Sequence, residues 1–289
     1  MKILSLFRTG QVKVEWAYTA HGSIWRILVS KTGRIVGECR DQQEKTTSFF
    51  CVDSATGTVV WQDLRLQERW WIGIEAVHHN VLIVHGFTKP DFPVHKGMAA
   101  FDIETGAERW HNDDLTYWFG HHGAVYAYRD LFEKRIGYAL NLYTWAVERT
   151  YDESLEPLHQ LRKQASGKPD PEELRFPELT DVGSLESSLG AMIEREVRGK
   201  KIAGGIEQIA EGDFVLLSYH SLRPESTIES PLYDNNFVIF DLEKRRTLFS
   251  DIIARNARAP VPDSFFVKFP FVYFVKDLAT LTAVRLWKS

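Results

Sequence analysis

Along most of the chain, apolar and polar residues alternate in short runs bounded by turn residues, the period-two pattern of half-buried β-strands. Ser48-Phe-Phe-Cys-Val52 runs into Asp53, Thr56-Gly57 supplies a turn, and Thr58 to Trp61 starts back in the opposite direction. That phrase predicts a hairpin. The Asp carboxylate accepts hydrogen bonds from turn amides, Gly tolerates a positive φ, and Trp ends the unit with a large packing surface. Further tight turns are expected at Ser30–Gly33, His78–Asn80, His121–Gly123, Ala210–Asp213 and Phe269-Pro270, each flanked by apolar segments such as Val81–Val84 and Phe214–Leu217. They lie between the first two strands of successive units, and the first three stand about 45 residues apart.

One segment breaks the rhythm. Across residues 151–201, ESLEPLHQLRKQ and LESSLGAMIEREV carry apolar residues at helical spacing, with Leu185, Leu189, Met192, Ile193 and Val197 forming a stripe. The turn-rich Ser166-Gly-Lys-Pro-Asp-Pro171 separates them. This reads as a helical insertion, and subtracting it leaves about 240 residues for five units. The last unit is one strand short: Phe271–Lys276 and Leu281–Trp287 have no following return, which Lys2–Phe7 and Gln11–Trp16, joined at Thr9-Gly10, are placed to supply. Pairing the ends of the chain in this way protects sheet edges. The expected fold is therefore all-β, a five-bladed β-propeller in a single domain over 1–289 with a helical insertion at 151–201, closed by its N- and C-terminal strands.

The phrase at Asp53, Thr56, Gly57 and Trp61 recurs 49 residues later at Asp102, Thr105, Gly106 and Trp110. Asp-x-x-Thr-Gly-x-x-x-Trp resembles the repeat of quinoprotein-like (PQQ-like) β-propellers, a superfamily that includes PQQ-dependent alcohol dehydrogenases and the scaffold propeller of outer-membrane protein assembly. Later units keep it loosely: Tyr138–Arg149 and Phe237–Leu248 have strand, turn and strand without Thr-Gly or the closing Trp, and Asp241 keeps the acidic position. In that superfamily these residues lock blades together, so the resemblance implies a fold rather than an activity. Its enzyme members have more blades, export signals and often a vicinal cysteine pair, which points here to a short, uncharacterised bacterial member.

Composition narrows the partners. With 35 basic and 39 acidic residues and a net charge of −4, the 289-residue chain offers no positive field for a phosphate backbone, so nucleic acid is not an expected partner. The N-terminal MKILSLFRTG is too short and interrupted for a secretory signal, and no apolar run approaches the roughly 20 residues that span a bilayer. A cytoplasmic location is expected, with no membrane partner. Cys39 and Cys51 fall on neighbouring strands, where two reduced, buried thiols are the expected state.

Site chemistry is the least written part. No catalytic motif stands out, and no cofactor is expected. Ile24-Trp25, Trp70-Trp71 and Tyr117-Trp118 occupy comparable places in the first three units, with Gly204-Gly205 and Phe265-Phe266 in the fourth and fifth. In a propeller, the rings of Trp25, Trp71 and Trp118 at such places either stack on a sugar or other flat ligand or pack between blades. Glu68, Arg69, Asp113 and Asp114 lie near those entries, and Glu75 and Glu207 farther along the same strands. Converging carboxylates would suit a five-bladed glycoside hydrolase, while surface acids and blade-to-blade ion pairs are the commoner explanation. The doublets His78-His79 and His121-His122 sit in turns on different units, and His85, His95 and His220 show no ligand spacing, so no metal site is expected. The reading that follows is a non-enzymatic module that binds a protein or a small molecule, with the hydrolase as alternative.

Overall fold

The structure is a computed structural model and describes residues 12–89, 92–165, 174–180, 187–227 and 229–286. The expected strands and turns at Lys2–Phe7 and Thr9-Gly10, the 166–171 turn, Leu185 and Trp287 lie outside these residues, as does the side chain of Leu189. Two compact units divide the chain, Ala20–Lys168, and Met1–Thr19 with Pro169–Ser289.

Among the described residues the chain is mostly β, with five antiparallel sheets. In the first unit β2 (Ser23–Val29), β3 (Arg34–Asp41), β4 (Thr46–Asp53) and β5 (Val59–Leu64) form one meander. A second comprises β6 (Ile72–His78), β7 (Val81–Lys89), β8 (Phe92–Asp102) and β9 (Glu108–Asn112). A third comprises β10 (Thr116–His121), β11 (Ala124–Asp130), β12 (Arg135–Asn141) and β13 (Val147–Tyr151), followed by α1 (Glu156–Ala165). The other unit holds β14 (Glu178–Thr180), α2 (Ser187–Val197), β15 (Ile202–Glu211), β16 (Phe214–Leu222), β17 (Tyr233–Asp241) and β18 (Arg246–Ala257), whose strands make a five-stranded sheet. The last sheet pairs β19 (Phe265–Lys268), β20 (Phe271–Lys276) and β21 (Thr280–Arg285) with the N-terminal β1 (Val14–Thr19), so that Tyr18 lies opposite Leu281.

Period-two patterning explains these sheets, because β-branched and aromatic residues on both faces of the middle strands find partners on neighbouring sheets. In Ala20–Lys168, Val36, Phe49 and Cys51 pack with Ile72, Ile74, Leu82, Val84, Phe101 and Ile103, while Val81, Ile83, Met98 and Ala100 pack with Val125, Ala127, Leu140 and Trp145. The five predicted hairpin tips fall between β2 and β3, β6 and β7, β10 and β11, β15 and β16, and β19 and β20. The short β14 was not evident in the sequence; three residues are too few to show a period. The two helices occupy the stretches with helical spacing. Leu158 of α1 is buried with Phe119, Ala139 and Tyr151, and Ile193 of α2 with Val215, Leu217, Tyr219 and Phe240, so each of these two side chains packs on its helix's own sheet.

The repeated phrase acts as a latch between consecutive sheets. Asp53 Oδ1 accepts the amides of Ala55 and Thr56 and the Thr56 hydroxyl, and Asp102 Oδ1 does the same with Glu104 and Thr105. Gly57 and Gly106 close these turns at φ +70° and +71°, each donating to the carbonyl of its own Asp. The Trp61 indole Nε1 then donates to the Ile103 carbonyl at 2.6 Å, inside the second turn. A β-carbon on Gly106 would come within 3.3 Å of that indole, so the second glycine is the floor on which the first tryptophan rests. Arg34 adds charge to the joint by reaching both Asp53 and Glu104.

The third sheet builds the same turn from other residues. Asn141 Oδ1 accepts the amides of Tyr143 and Thr144, and Trp145 takes the glycine position at φ +61°. Its ring stacks on Trp110, 4.8 Å between centroids and 12° from parallel. Asp241 is buried and accepts the Lys244 amide, which carries the acidic position into a fourth turn.

Candidate functional site

Three sheets of Ala20–Lys168 carry the same irregularity in their first strand: the register slips between Ile24 and Arg26, between Ile74 and Ala76, and between Tyr117 and Phe119. A bulge leaves one residue unpaired and re-aims its side chain. Those residues are Trp25, Glu75 and Trp118. Trp71, which the sequence aligns with the other two tryptophans, stands one residue before β6, and Glu75 takes the equivalent bulged place.

Around Glu75 the sheet is bulged twice more, between His85 and Gly86 and between Phe87 and Lys89. These slips bring His85 of β7 and His95 of β8 onto one carboxylate oxygen. Glu75 Oε2 lies 2.8 Å from His95 Nδ1 and 2.9 Å from His85 Nδ1. Only the His95 nitrogen is aligned for a hydrogen bond; the buried His85 Nδ1 is close to the oxygen without pointing at it and has no hydrogen-bond partner. The two imidazoles stack, 3.5 Å apart and 9° from parallel. Phe87 sets its edge against both, at 5.0 and 5.3 Å, and meets Trp71 at 6.1 Å. The Thr116 hydroxyl from the third sheet holds the His95 carbonyl.

Electrostatics follow from this packing. Burial pushes the Glu75 carboxyl upward, but the two histidines outweigh it and hold the group at about 2. His85 is held below the ordinary histidine range, chiefly by burial and in part by the neighbouring His95, against the pull of Glu75 and Glu38. Glu38, only 2% exposed, accepts the Ile74 amide through Oε2 and Arg40 Nε through Oε1 at 2.6 Å. Gly73 separates Glu38 from His85: a β-carbon there would lie 3.1 Å from Glu38 Oε2 and 3.1 Å from His85 Cε1. Arg40 also donates to the Trp70 and Ile72 carbonyls and lies over the rings of Trp25 and Trp70.

The remaining predicted residues divide clearly. Trp25 is 63% and Trp71 37% exposed; Glu68 accepts the Trp70 and Trp71 amides and so fixes the backbone that presents Trp71. Those amides hold the Glu68 carboxyl below its usual range. Arg69 is exposed and contributes its carbonyl to Thr47. Asp113 is exposed, and Asp114 faces Lys96 and Arg129 at 3.9 and 3.5 Å. Trp118 packs against Tyr128 and against His159 of α1. Glu207, in the other unit, is buried and accepts the amides of Asp263 and Ser264. His78 bonds the Tyr117 hydroxyl at 2.7 Å, while His79 and His122 occupy exposed left-handed turn positions. Both cysteines are free and buried.

Sequence reasoning singled out Glu75, Trp25 and Trp71, set His85 and His95 aside because they show no ligand spacing, and missed Glu38, Arg40 and Phe87. Gly73, Gly86 and Gly97 inside strand-like runs were the available signal, because an isolated glycine in a strand marks a bulge or close approach. No helix among the described residues is long and apolar enough to cross a membrane.

A family model described as Domain of unknown function (DUF4905) matches residues 29–110, the stretch that carries both copies of the repeated phrase and Glu75, His85 and His95. A search of curated proteins gives no match. Among solved structures, the chain is similar to a Europium-containing methanol dehydrogenase at 10% identity, covering 94% of this chain and 52% of that one with a TM-score of 0.33. The chain thus spans about half the length of that enzyme. It is also similar to the β-propeller domain of the Trilobed protease from Pyrococcus furiosus, at 13% identity, 87% and 64% coverage and a TM-score of 0.32. An uncharacterized protein from Listeria monocytogenes EGD-e matches at 8% identity over 96% of this chain and 98% of that one, with a TM-score of 0.36. At such scores the fold rests on the strand pairing itself, which among the described residues gives four four-stranded antiparallel sheets and one five-stranded sheet.

Proposed function

We propose that this chain is a non-enzymatic binding module, a five-bladed propeller of the PQQ-like repeat type latched by β1, whose Ala20–Lys168 unit takes a flat small molecule such as a sugar ring on Trp25 and Trp71. The observation that carries this reading is the exposure of two indoles on fixed supports. Trp25 lies against Arg40, itself tied to Glu38 and to the Trp70 and Ile72 carbonyls, and Trp71 is set by Glu68 and edged by Phe87. Large aromatic rings held rigid and left uncovered are what a stacking site needs, because little side-chain entropy is lost on binding.

A binding role has more support than a glycoside hydrolase. Hydrolysis needs one carboxylic acid kept protonated beside one ionised, whereas Glu75 is held ionised by two imidazoles and Glu207 accepts two backbone amides. Titration of a panel of mono- and oligosaccharides and purine nucleosides, followed by tryptophan fluorescence, tests the proposal. Saturable quenching that is lost in Trp25→Ala and Trp71→Ala, with unchanged circular dichroism, is expected. Saturable binding untouched by both substitutions would sink it, as would a panel without any binder.

A further inference from the structure

We propose that Glu75, His85 and His95 form a site for one divalent transition-metal ion of the zinc class. Two imidazole nitrogens and a carboxylate oxygen, one from each of three adjacent strands, lie within 4.8 Å of one another. Two histidines and one acid are a donor set that zinc accepts while leaving a fourth position open. Neutral imidazole is also a better ligand for such an ion than for magnesium or calcium, which favour oxygen.

Hydrogen bonding alone leaves this cluster unbalanced. Both Nδ1 atoms lie within 2.9 Å of one oxygen, and only His95 is aligned with it; His85, 5% exposed, keeps a ring nitrogen without a partner. An ion resolves that conflict by taking the Nδ1 lone pairs of both rings and a lone pair of Oε2. The ring that must move is identifiable. A metal sits in the plane of each imidazole at about 2.0–2.1 Å, and parallel rings 3.5 Å apart share no such point, so one ring tilts. The His95 side chain is 36% exposed and the His85 side chain 6%, so His95 makes the movement while its carbonyl stays on Thr116. Behind the site, Glu38 is fixed by Arg40 and the Ile74 amide and adds a second negative charge near His85. Phe87 walls the rings on one side, which limits water around the donors.

This inference goes beyond the stacking reading and stands without it. The test uses the full chain, stripped with a chelator and dialysed, then titrated with Co2+ followed by visible absorption and with Zn2+ followed by equilibrium dialysis and elemental analysis. One equivalent held at micromolar free metal is expected, with a cobalt spectrum of nitrogen and oxygen ligands. His95→Ala and Glu75→Gln each weaken binding by at least about tenfold. His121→Ala with His122→Ala leaves it unchanged, as does Trp25→Ala with Trp71→Ala. Should Glu75→Gln or His85→Ala fail to fold, His95→Ala decides, since His95 is the most exposed of the three side chains. The proposal is overturned by binding seen only at millimolar metal without saturation, by the absence of a cobalt band, or by full stoichiometry in a folded His95→Ala protein. Loss of sugar or nucleoside binding with metal retained would count against the stacking platform alone.

Discussion

The joint between the first two repeats can be tested by a substitution that removes one hydrogen-bond donor. Trp61→Phe keeps an aromatic ring over Gly106 but deletes the Nε1 donor that reaches the Ile103 carbonyl at 2.6 Å. Ile103 is fully buried, so water does not replace the donor easily. A typical hydrogen bond contributes about 1 kcal/mol net, and leaving a buried acceptor unpaired raises the loss to about 1–3 kcal/mol. For a chain of this size each kcal/mol corresponds to roughly 2–4 °C, so the midpoint should fall by about 2–12 °C. Trp110→Phe is the matched control: Trp110 meets Trp145 by ring stacking, and a phenyl ring retains much of that contact. Guanidinium unfolding followed by far-UV circular dichroism measures both variants without depending on the tryptophans as reporters. A Trp61→Phe loss no larger than that of Trp110→Phe would show that the indole N–H does not lock the sheets, and the latch would reduce to packing alone.

Three further outcomes follow from the same structure. Burial pushes the Cys39 and Cys51 thiols up to about 12, with Glu38 and Asp63 adding to the first and Arg34 partly opposing the second; both should resist iodoacetamide at pH 8 in the native state and react within minutes in denaturant, and rapid native labelling would refute their burial. Desolvation raises the Asp102 carboxyl, yet its bonds from Arg109 and Thr105 outweigh that and hold it below the ordinary value of 3.8. A depressed carboxylate contributes stability above its unfolded value and loses it as pH falls through the folded one, so Asp102→Asn should lower the melting temperature at pH 7 and leave it nearly unchanged at pH 2; equal effects at both would remove the ion pair from the account. Leu158→Ala deletes the fully buried anchor of α1 at a cost of about 2–5 kcal/mol, and since a ten-residue helix is marginal alone, amide exchange should accelerate across Glu156–Ala165 while β10–β12 stay protected. Uniform acceleration across the sheet would mean that the helix is part of its core.

What was legible in the sequence, and what was not, divides by the range of the interaction that specifies it. Asp53 and Asp102 advertise their turns because carboxylate, hydroxyl and left-handed glycine act within five residues, and local chemistry of that kind leaves a fixed spelling. The third turn obeys the same physics under a different spelling: Asn141 accepts the amides that an aspartate would, and Trp145 tolerates the left-handed conformation while its stack on Trp110 is retained. A search for Thr-Gly passes over it, whereas a search for an amide-accepting side chain four residues before a positive-φ position would not. The cluster at Glu75 lies at the other extreme. Glu75, His85 and His95 are ten residues apart in each step, a spacing that a regular ladder would not gather at one oxygen; three register slips do so. Register is set by partners on other strands rather than by the bulged residue itself, so the site becomes visible only after the strands are paired. Glycines at 73, 86 and 97 hint that the ladder is interrupted, but they do not say which side chains the interruption brings together.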